Sequence, residues 1–227
     1  MILYVNGDSH SAGAEAVNSY CFAEDDPLYR GLGRIPHPDN ERVSYGCLIA
    51  NELSAILHCD AESASSNSRI IRTTRDYLAN EGTPDAIVIG WSTWEREEWL
   101  LGDRYWQVNA GGVGNDWPAE IKERYKKYVV NIDWGHYEQQ AHTEIFSFHQ
   151  ELEEKQIPHL FFNCYSDFQN QVMQDWNGCY VDPYDPDMTY WKWLTDRGFE
   201  SNQSYHFRAD AHRKWAEFLL PHLTRLL

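Results

Sequence analysis

The stretch Ile2-Leu3-Tyr4-Val5-Asn6-Gly7-Asp8-Ser9 decides the fold. Four apolar residues stop abruptly at a polar turn, the pattern of a short buried strand followed by a tight bend. The same pattern returns at Asp85-Ala86-Ile87-Val88-Ile89-Gly90, the clearest buried strand in the chain, and at His159-Leu160-Phe161-Phe162-Asn163. His58 to Ala61 reads as one more strand. Helical spacing of apolar residues fills the gaps: 44–57, about 67–78, 119–130, 134–155, 188–197 and 208–220. The helix at 134–155 stops where Ile157-Pro158 begins, since proline cannot continue it. Strands that alternate with helices predict an α/β fold of three layers, α/β/α, around a parallel sheet. In such sheets a ligand binds beyond the carboxyl ends of the strands. Ser9, the segment 64–67 and Trp91-Ser92 each follow a predicted strand, so topology alone brings them to one edge.

The chain has 227 residues, which suits one domain spanning 1–227 with long loops. Residues 22–43, rich in Asp, Pro and Gly, read as such a loop. Residues 91–118 carry five tryptophans and a glycine-rich turn, and read as an aromatic excursion above the sheet. That excursion suits either a ligand pocket or a small satellite core. Nineteen basic against thirty-five acidic side chains give a net charge of −16, which disfavours nucleic acid as a partner. No apolar run approaches the ~20 residues needed to span a bilayer, and no basic leader precedes the first strand. Five cysteines without a CxxC pair read as reduced thiols, which fits the cytoplasm. No membrane partner is expected.

Chemistry enters at Ser9. A serine attacks at neutral pH only with a base to take its proton and donors to hold the developing oxyanion. Gly7-Asp8-Ser9 resembles the first conserved block of the SGNH (GDSL-type) hydrolases. Ser63 to Ile70 resembles the second block and Ile89-Gly90-Trp91-Ser92 the third. His206-Phe207-Arg208-Ala209-Asp210-Ala211-His212-Arg213-Lys214-Trp215-Ala216 is similar to the C-terminal block. The resemblance runs from end to end of the chain and implies the flavodoxin-like SGNH hydrolase fold. It implies a serine esterase acting on a small acyl ester, with carbohydrate O-acetyl groups among the substrates. Ser9 is then the nucleophile and His206 the base. The backbone N–H groups of Ser9 and Ala64, with Ser92, form the oxyanion hole. Asn67, Trp91, Thr93 and Trp94 contact the substrate, and Thr93 is a second oxyanion donor. No metal or cofactor is implied.

Three positions depart from the family pattern. Ala64 stands for glycine, which is harmless only at negative φ. Ser92 stands for asparagine, and a hydroxyl reaches less far than an amide. Gln203 stands for the acid three residues before the base, leaving Glu200, Asp182 or a backbone carbonyl to orient the imidazole. These departures motivate a contrary expectation, a catalytically degenerate glycan-binding module of the same fold.

Remaining signals are weaker. Asp182, Asp185 and Asp187 lack the glycine and terminal glutamate of an EF-hand. His142 and His149 lack an HExxH pattern and read as helix-surface histidines. Arg69, Arg72 and Arg75 read as a face paired with nearby acids, and His212 as a packing residue.

Overall fold

The computed structural model describes residues 1–23, 35–114 and 116–227. In chain order the strands are β1 (Ile2–Asn6), β2 (Ile56–Cys59), β3 (Ala86–Trp91), β4 (Glu97–Leu101), β5 (Arg104–Val108) and β6 (His159–Asn163). The helices are α1 (Pro38–Glu41), α2 (Tyr45–Glu52), α3 (Asn67–Asn80), α4 (Ala119–Val130), α5 (Trp134–Glu154), α6 (Tyr190–Thr195) and α7 (Ala209–Thr224). Four strands pair in parallel in the order β2-β1-β3-β6.

Strand alternation sorts the core into two faces. Leu3, Val5, Val88, Leu160 and Phe162 point to one side and pack on α2, α6 and α7. Tyr4, Ile87, Ile89 and Phe161 point to the other and pack on α3 and α5. The three-layer α/β/α fold with a parallel sheet, expected from the strand and helix pattern, is the observed one. Trp215 of α7 is fully enclosed between Phe162, Tyr190, Trp193 and Phe218. Cutting such a residue to alanine costs about 3–5 kcal/mol.

The strand–turn junction after β1 depends on glycine. Gly7 has φ +151, and a Cβ there would lie 2.0 Å from Ser11 Oγ and 2.7 Å from the Gly90 carbonyl. Only a residue without a side chain lets the turn press this close to the end of β3.

Several boundaries differ from the sequence reading. β2 begins at Ile56, because its register with β1 pairs Ile2 with Ile56. α7 continues to Thr224 with Pro221 inside it. Part of the expected loop at 22–43 lies outside the described residues, and 38–41 is helical. The 91–118 excursion contains the antiparallel hairpin β4–β5, turning at Gly102-Asp103. Trp99 and Val108 pack there against Ile121, Tyr125 and Tyr128 of α4. Trp99, Trp106 and Trp117 therefore belong to a satellite core. Among the described residues no helix is long and apolar enough to cross a membrane.

Candidate active site

Ser9 sits in the turn immediately beyond β1 and is 7% exposed. The turn winds like the start of a helix, with Ala12 N–H donating to the Asp8 carbonyl at 3.0 Å. Among the described residues the N–H groups of Ser9 and Ala64 donate no hydrogen bond. Glu62 N–H donates to the Gly7 carbonyl at 3.2 Å, which fastens the segment carrying Ala64 to the segment carrying Ser9. Ala64 has φ +65, not the negative value that would make an alanine free of strain. The left-handed region costs an L-residue about 1–2 kcal/mol, and glycine nothing comparable. Ser66 then caps α3, its Oγ accepting from Arg69 N–H at 3.2 Å.

His206 lies with Ser9, His10, Thr93, Arg96, Tyr165, Ser204 and Tyr205 around one cleft of about 350 Å³. Sequence separation is large, but topology brings the turn after β1 and the loop before α7 to the same edge of the sheet. Asn202 shapes that loop: its Oδ1 accepts from the N–H groups of Ser204 and His206, each at 2.9 Å. The side chain on the far side of the imidazole is Glu15. His206 Nδ1 is 2.6 Å from Glu15 Oε2. Since a carboxylate accepts, Nδ1 carries the proton and Nε2 is left as a base. Asn202 Nδ2 also donates to Glu15 Oε2, at 2.9 Å. Burial pushes the Glu15 carboxyl up, but the hydrogen bonds from His206 and Asn202 outweigh it and hold the group below its usual range.

Gln203, Glu200 and Asp182, the expected orienting groups, are all exposed, and none contacts His206 among the described residues. The carboxylate comes instead from the Ser9 turn itself. Glu15 adopts φ +59, which swings its side chain out of the turn. No local sequence signal marks it, since its partner lies 191 residues away.

The third segment carries a surprise of charge. Asp8 is fully buried beneath Ser9. Its Oδ2 accepts from Arg96 Nη1 and from Ser92 Oγ, each at 3.1 Å, and its Oδ1 from His10 N–H at 3.0 Å. Burial would raise the Asp8 carboxyl, yet His10, which takes up a proton only in the acid range where a carboxyl titrates, together with the Arg96 charge and these hydrogen bonds, holds it below the usual range. Ser92 Oγ accepts from Arg96 Nη1 at 2.7 Å and gives its own proton to Asp8. The hydroxyl expected to donate to an oxyanion is thus committed to a buried carboxylate. Asn67 is likewise engaged: its side-chain amide holds both the N–H and the carbonyl of Ser92.

His10 lines the same cleft. Its ring faces His206 at 5.4 Å and Tyr165 at 4.9 Å, because the chain has already left strand geometry. Burial lowers the His10 imidazole to about 4, so it is neutral at pH 7. Three residues lining this cleft have a buried polar atom without a hydrogen-bond partner among the described residues: His10 Nδ1, Thr93 Oγ1 and Arg96 Nε.

The tryptophans separate. Trp91 is fully buried in the core against Phe148 and Phe161, so it cannot touch a ligand. Trp94 stacks on Phe168 at 4.5 Å and lines a second cavity of about 240 Å³ with Asn67, Glu97, Glu98, Tyr137 and Gln140. Arg96 borders both spaces. His212 is buried in packing, its Nδ1 accepting from Tyr45 N–H at 3.4 Å. Arg69, Arg72 and Arg75 pair with Glu62, Glu98 and Glu151. The five cysteines form no disulfide. Ligand-type atoms of Glu15, Cys21 and His206 lie within 4.8 Å of one another, but His206 Nδ1 is already taken by Glu15.

No family model and no curated protein sequence matches this chain. Solved structures do. LAE5, an α/β hydrolase enzyme from the metagenome of Lake Arreo, Spain, aligns over 100% of this chain and 96% of its own, with a TM-score of 0.50 at 9% identity. What the two share is the fold, a parallel sheet flanked on both faces by helices. A G-D-S-L family lipolytic protein from Desulfitobacterium hafniense aligns over 100% and 99% of the two chains, with a TM-score of 0.46 at 12% identity. A carbohydrate esterase family 2 enzyme from Corynascus thermopiles (Myceliophthora fergusii) aligns over 99% of this chain and 66% of its own, with a TM-score of 0.47 at 16% identity.

Proposed function

We propose that this protein is a serine esterase of the SGNH type, cleaving small acyl esters. The observation that carries the reading is the Glu15–His206 pair at 2.6 Å on the rim of the cleft that holds Ser9. The geometry supports a division of labour. Glu15 fixes the imidazole with Nδ1 protonated, and His206 Nε2 takes the Ser9 proton as Oγ attacks the carbonyl carbon. The tetrahedral intermediate collapses to an acyl-serine as His206 returns that proton to the leaving alcohol. Water then repeats the sequence and frees the acid. The free N–H groups of Ser9 and Ala64 serve the oxyanion. Arg96 and Thr93 take over the task that the third block's asparagine performs elsewhere: both residues line the cleft, and each has a buried polar atom without a hydrogen-bond partner among the described residues, which buried polar atoms ordinarily have.

The leaving group fits a sugar. Beyond Arg96 the second cavity offers the Trp94 ring and the polar groups of Asn67, Glu97, Glu98, Tyr137 and Gln140, a mixture suited to hydroxyl-rich rings. A carbohydrate O-acetyl ester is the substrate class proposed.

The test is hydrolysis of p-nitrophenyl acetate and of an acetylated sugar, with fluorophosphonate labelling. Ser9→Ala should lose turnover by a factor on the order of 10⁴ or more and lose the label. Equal rates in both proteins remove the esterase. One observation favours a second reading, a degenerate glycan-binding module: the Ser92 hydroxyl is locked onto Asp8. That reading expects glycan binding without any Ser9 adduct.

A further inference from the structure

His149 and His159 are each 1% exposed and Cys179 is 8% exposed, although the first reads from sequence as a surface residue. They meet at the amino-terminal end of β6, on the α5 side of the sheet. β6 is five residues long, so this place lies roughly 15 Å from the Ser9 edge.

The hydrogen bonds there dictate the protons. His159 Nδ1 is 2.8 Å from the Ile157 carbonyl, which can only accept, so Nδ1 carries the proton. His159 Nε2 is then a lone pair, and it faces His149 Nδ1 at 2.8 Å. His149 Nδ1 must donate, which leaves His149 Nε2 as a second lone pair. Among the described residues that nitrogen has no hydrogen-bond partner, and Oε2 of the Glu153 carboxylate lies 3.3 Å from it. A lone pair therefore faces a partly exposed carboxylate, whose other oxygen accepts from Asn177 Nδ2 at 2.5 Å, and no cation lies against either among the described residues. The Cys179 thiol completes the group: ligand atoms of His149, His159 and Cys179 all lie within 4.8 Å of one another.

We propose that His149, His159 and Cys179, with Glu153, form a structural binding site for a zinc-type divalent cation. Two imidazoles, a thiolate and a carboxylate are the donor set of such ions, and tetrahedral zinc needs its ligand atoms only about 3.4 Å apart. The His159 Nδ1–H···O=C bond is the kind of outer contact that aims a ligating Nε2. On binding, Cys179 releases its proton to solvent, and the His149–His159 hydrogen bond gives way as the metal takes the lone pairs. Glu153, with its side chain 35% exposed, marks the way in. The bound ion would tie the end of α5 and the start of β6 to the loop that carries Cys179.

The experiment is titration of metal-stripped full-length protein with Co(II) and Zn(II). One equivalent should bind, with a cobalt–thiolate charge-transfer band. Cys179→Ser should lose the band and weaken zinc by at least tenfold, with ester hydrolysis unchanged. Cys21→Ser should behave as wild type. Should Cys179→Ser fail to fold, thiol alkylation of the wild type decides: zinc should protect Cys179, mapped by peptide. No stoichiometric uptake, loss of binding in Cys21→Ser instead, or a Cys179 alkylated equally with and without zinc would overturn the proposal.

Discussion

Two polar clusters are buried at opposite ends of the same sheet, and they solve the cost of burial differently. Beneath Ser9, the Asp8 carboxylate has an arginine, a hydroxyl and a backbone N–H on its oxygens. At the start of β6, His149 and His159 share one hydrogen bond and leave a nitrogen unmatched before Glu153. The first cluster is charge-balanced by a side chain from the loop after β3, the second by nothing among the described residues. A buried charge persists when it is paired and hydrogen-bonded. The upper cluster meets that condition with protein atoms, so it can hold a fixed geometry under a reacting group. The lower one holds no buried charge, only a nitrogen lone pair without a donor, and that is what the proposed ion would take up.

Breaking the upper arrangement should have the larger consequences. Glu15→Gln keeps the shape and removes the charge that supports a protonated His206, so kcat for an acyl ester should fall by roughly 10³–10⁴, with KM little changed. Steady-state kinetics reads both. Arg96→Met should strand the Asp8 carboxylate, which has no exposure to water, and destabilise the fold by about 3–5 kcal/mol in urea titrations.

Acid should act on the same end. Burial lowers His10 to about 4 and His212 to about 3, from an ordinary 6.5. His10 faces Asp8, His206, Arg96, Tyr165 and Tyr190, and His212 faces Tyr45, Tyr190, His10 and His206. In the unfolded chain both bind protons near 6.5, so there the unfolded state gains protons that the folded state refuses. The stability is complete above pH 6.5 and is lost as pH falls toward 4 and 3. At about pH 5 the loss should be about 2 kcal/mol for each histidine. Denaturant midpoints at pH 7.5 and 5 measure it.

At the lower cluster, Glu153→Gln in metal-free protein should change stability by under about 1 kcal/mol, because the carboxylate is partly solvated and opposes a lone pair. A loss as large as that of Arg96→Met would erase the contrast between the two ends. Smallest of all, Ala64→Gly should stabilise by about 0.5–1 kcal/mol by releasing the left-handed strain, as thermal unfolding would show.

The layer order and the convergence at one edge were legible because β1 and β3 alternate between two faces that must both be buried. The place of Ser9 just beyond a strand was legible from position, whereas His206 came only from the resemblance of the C-terminal block; one cleft is lined by both. The hairpin β4–β5 was not read, although Gly102-Asp103 between two aromatic runs is a turn signal. Glu15 and Arg96 escaped for a different reason. Each acts on a residue far along the chain, and neither sits at a spacing from its partner that periodicity could reveal. The burial of His149 escaped although Ile145 and Leu152, four residues before it and three after, mark the same side of α5 as buried; a histidine there was read as a surface residue by its type alone.

Ser9 and Glu15 lie six positions apart in one turn, while His206 waits 191 residues beyond Glu15. During synthesis the hydroxyl and the carboxylate emerge from the ribosome together, well before the imidazole. A nascent chain that has reached residue 205 holds both without the imidazole between them. On the proposed mechanism no ester is cut before that imidazole has been added, by which point the sheet on which the two segments meet has been laid down.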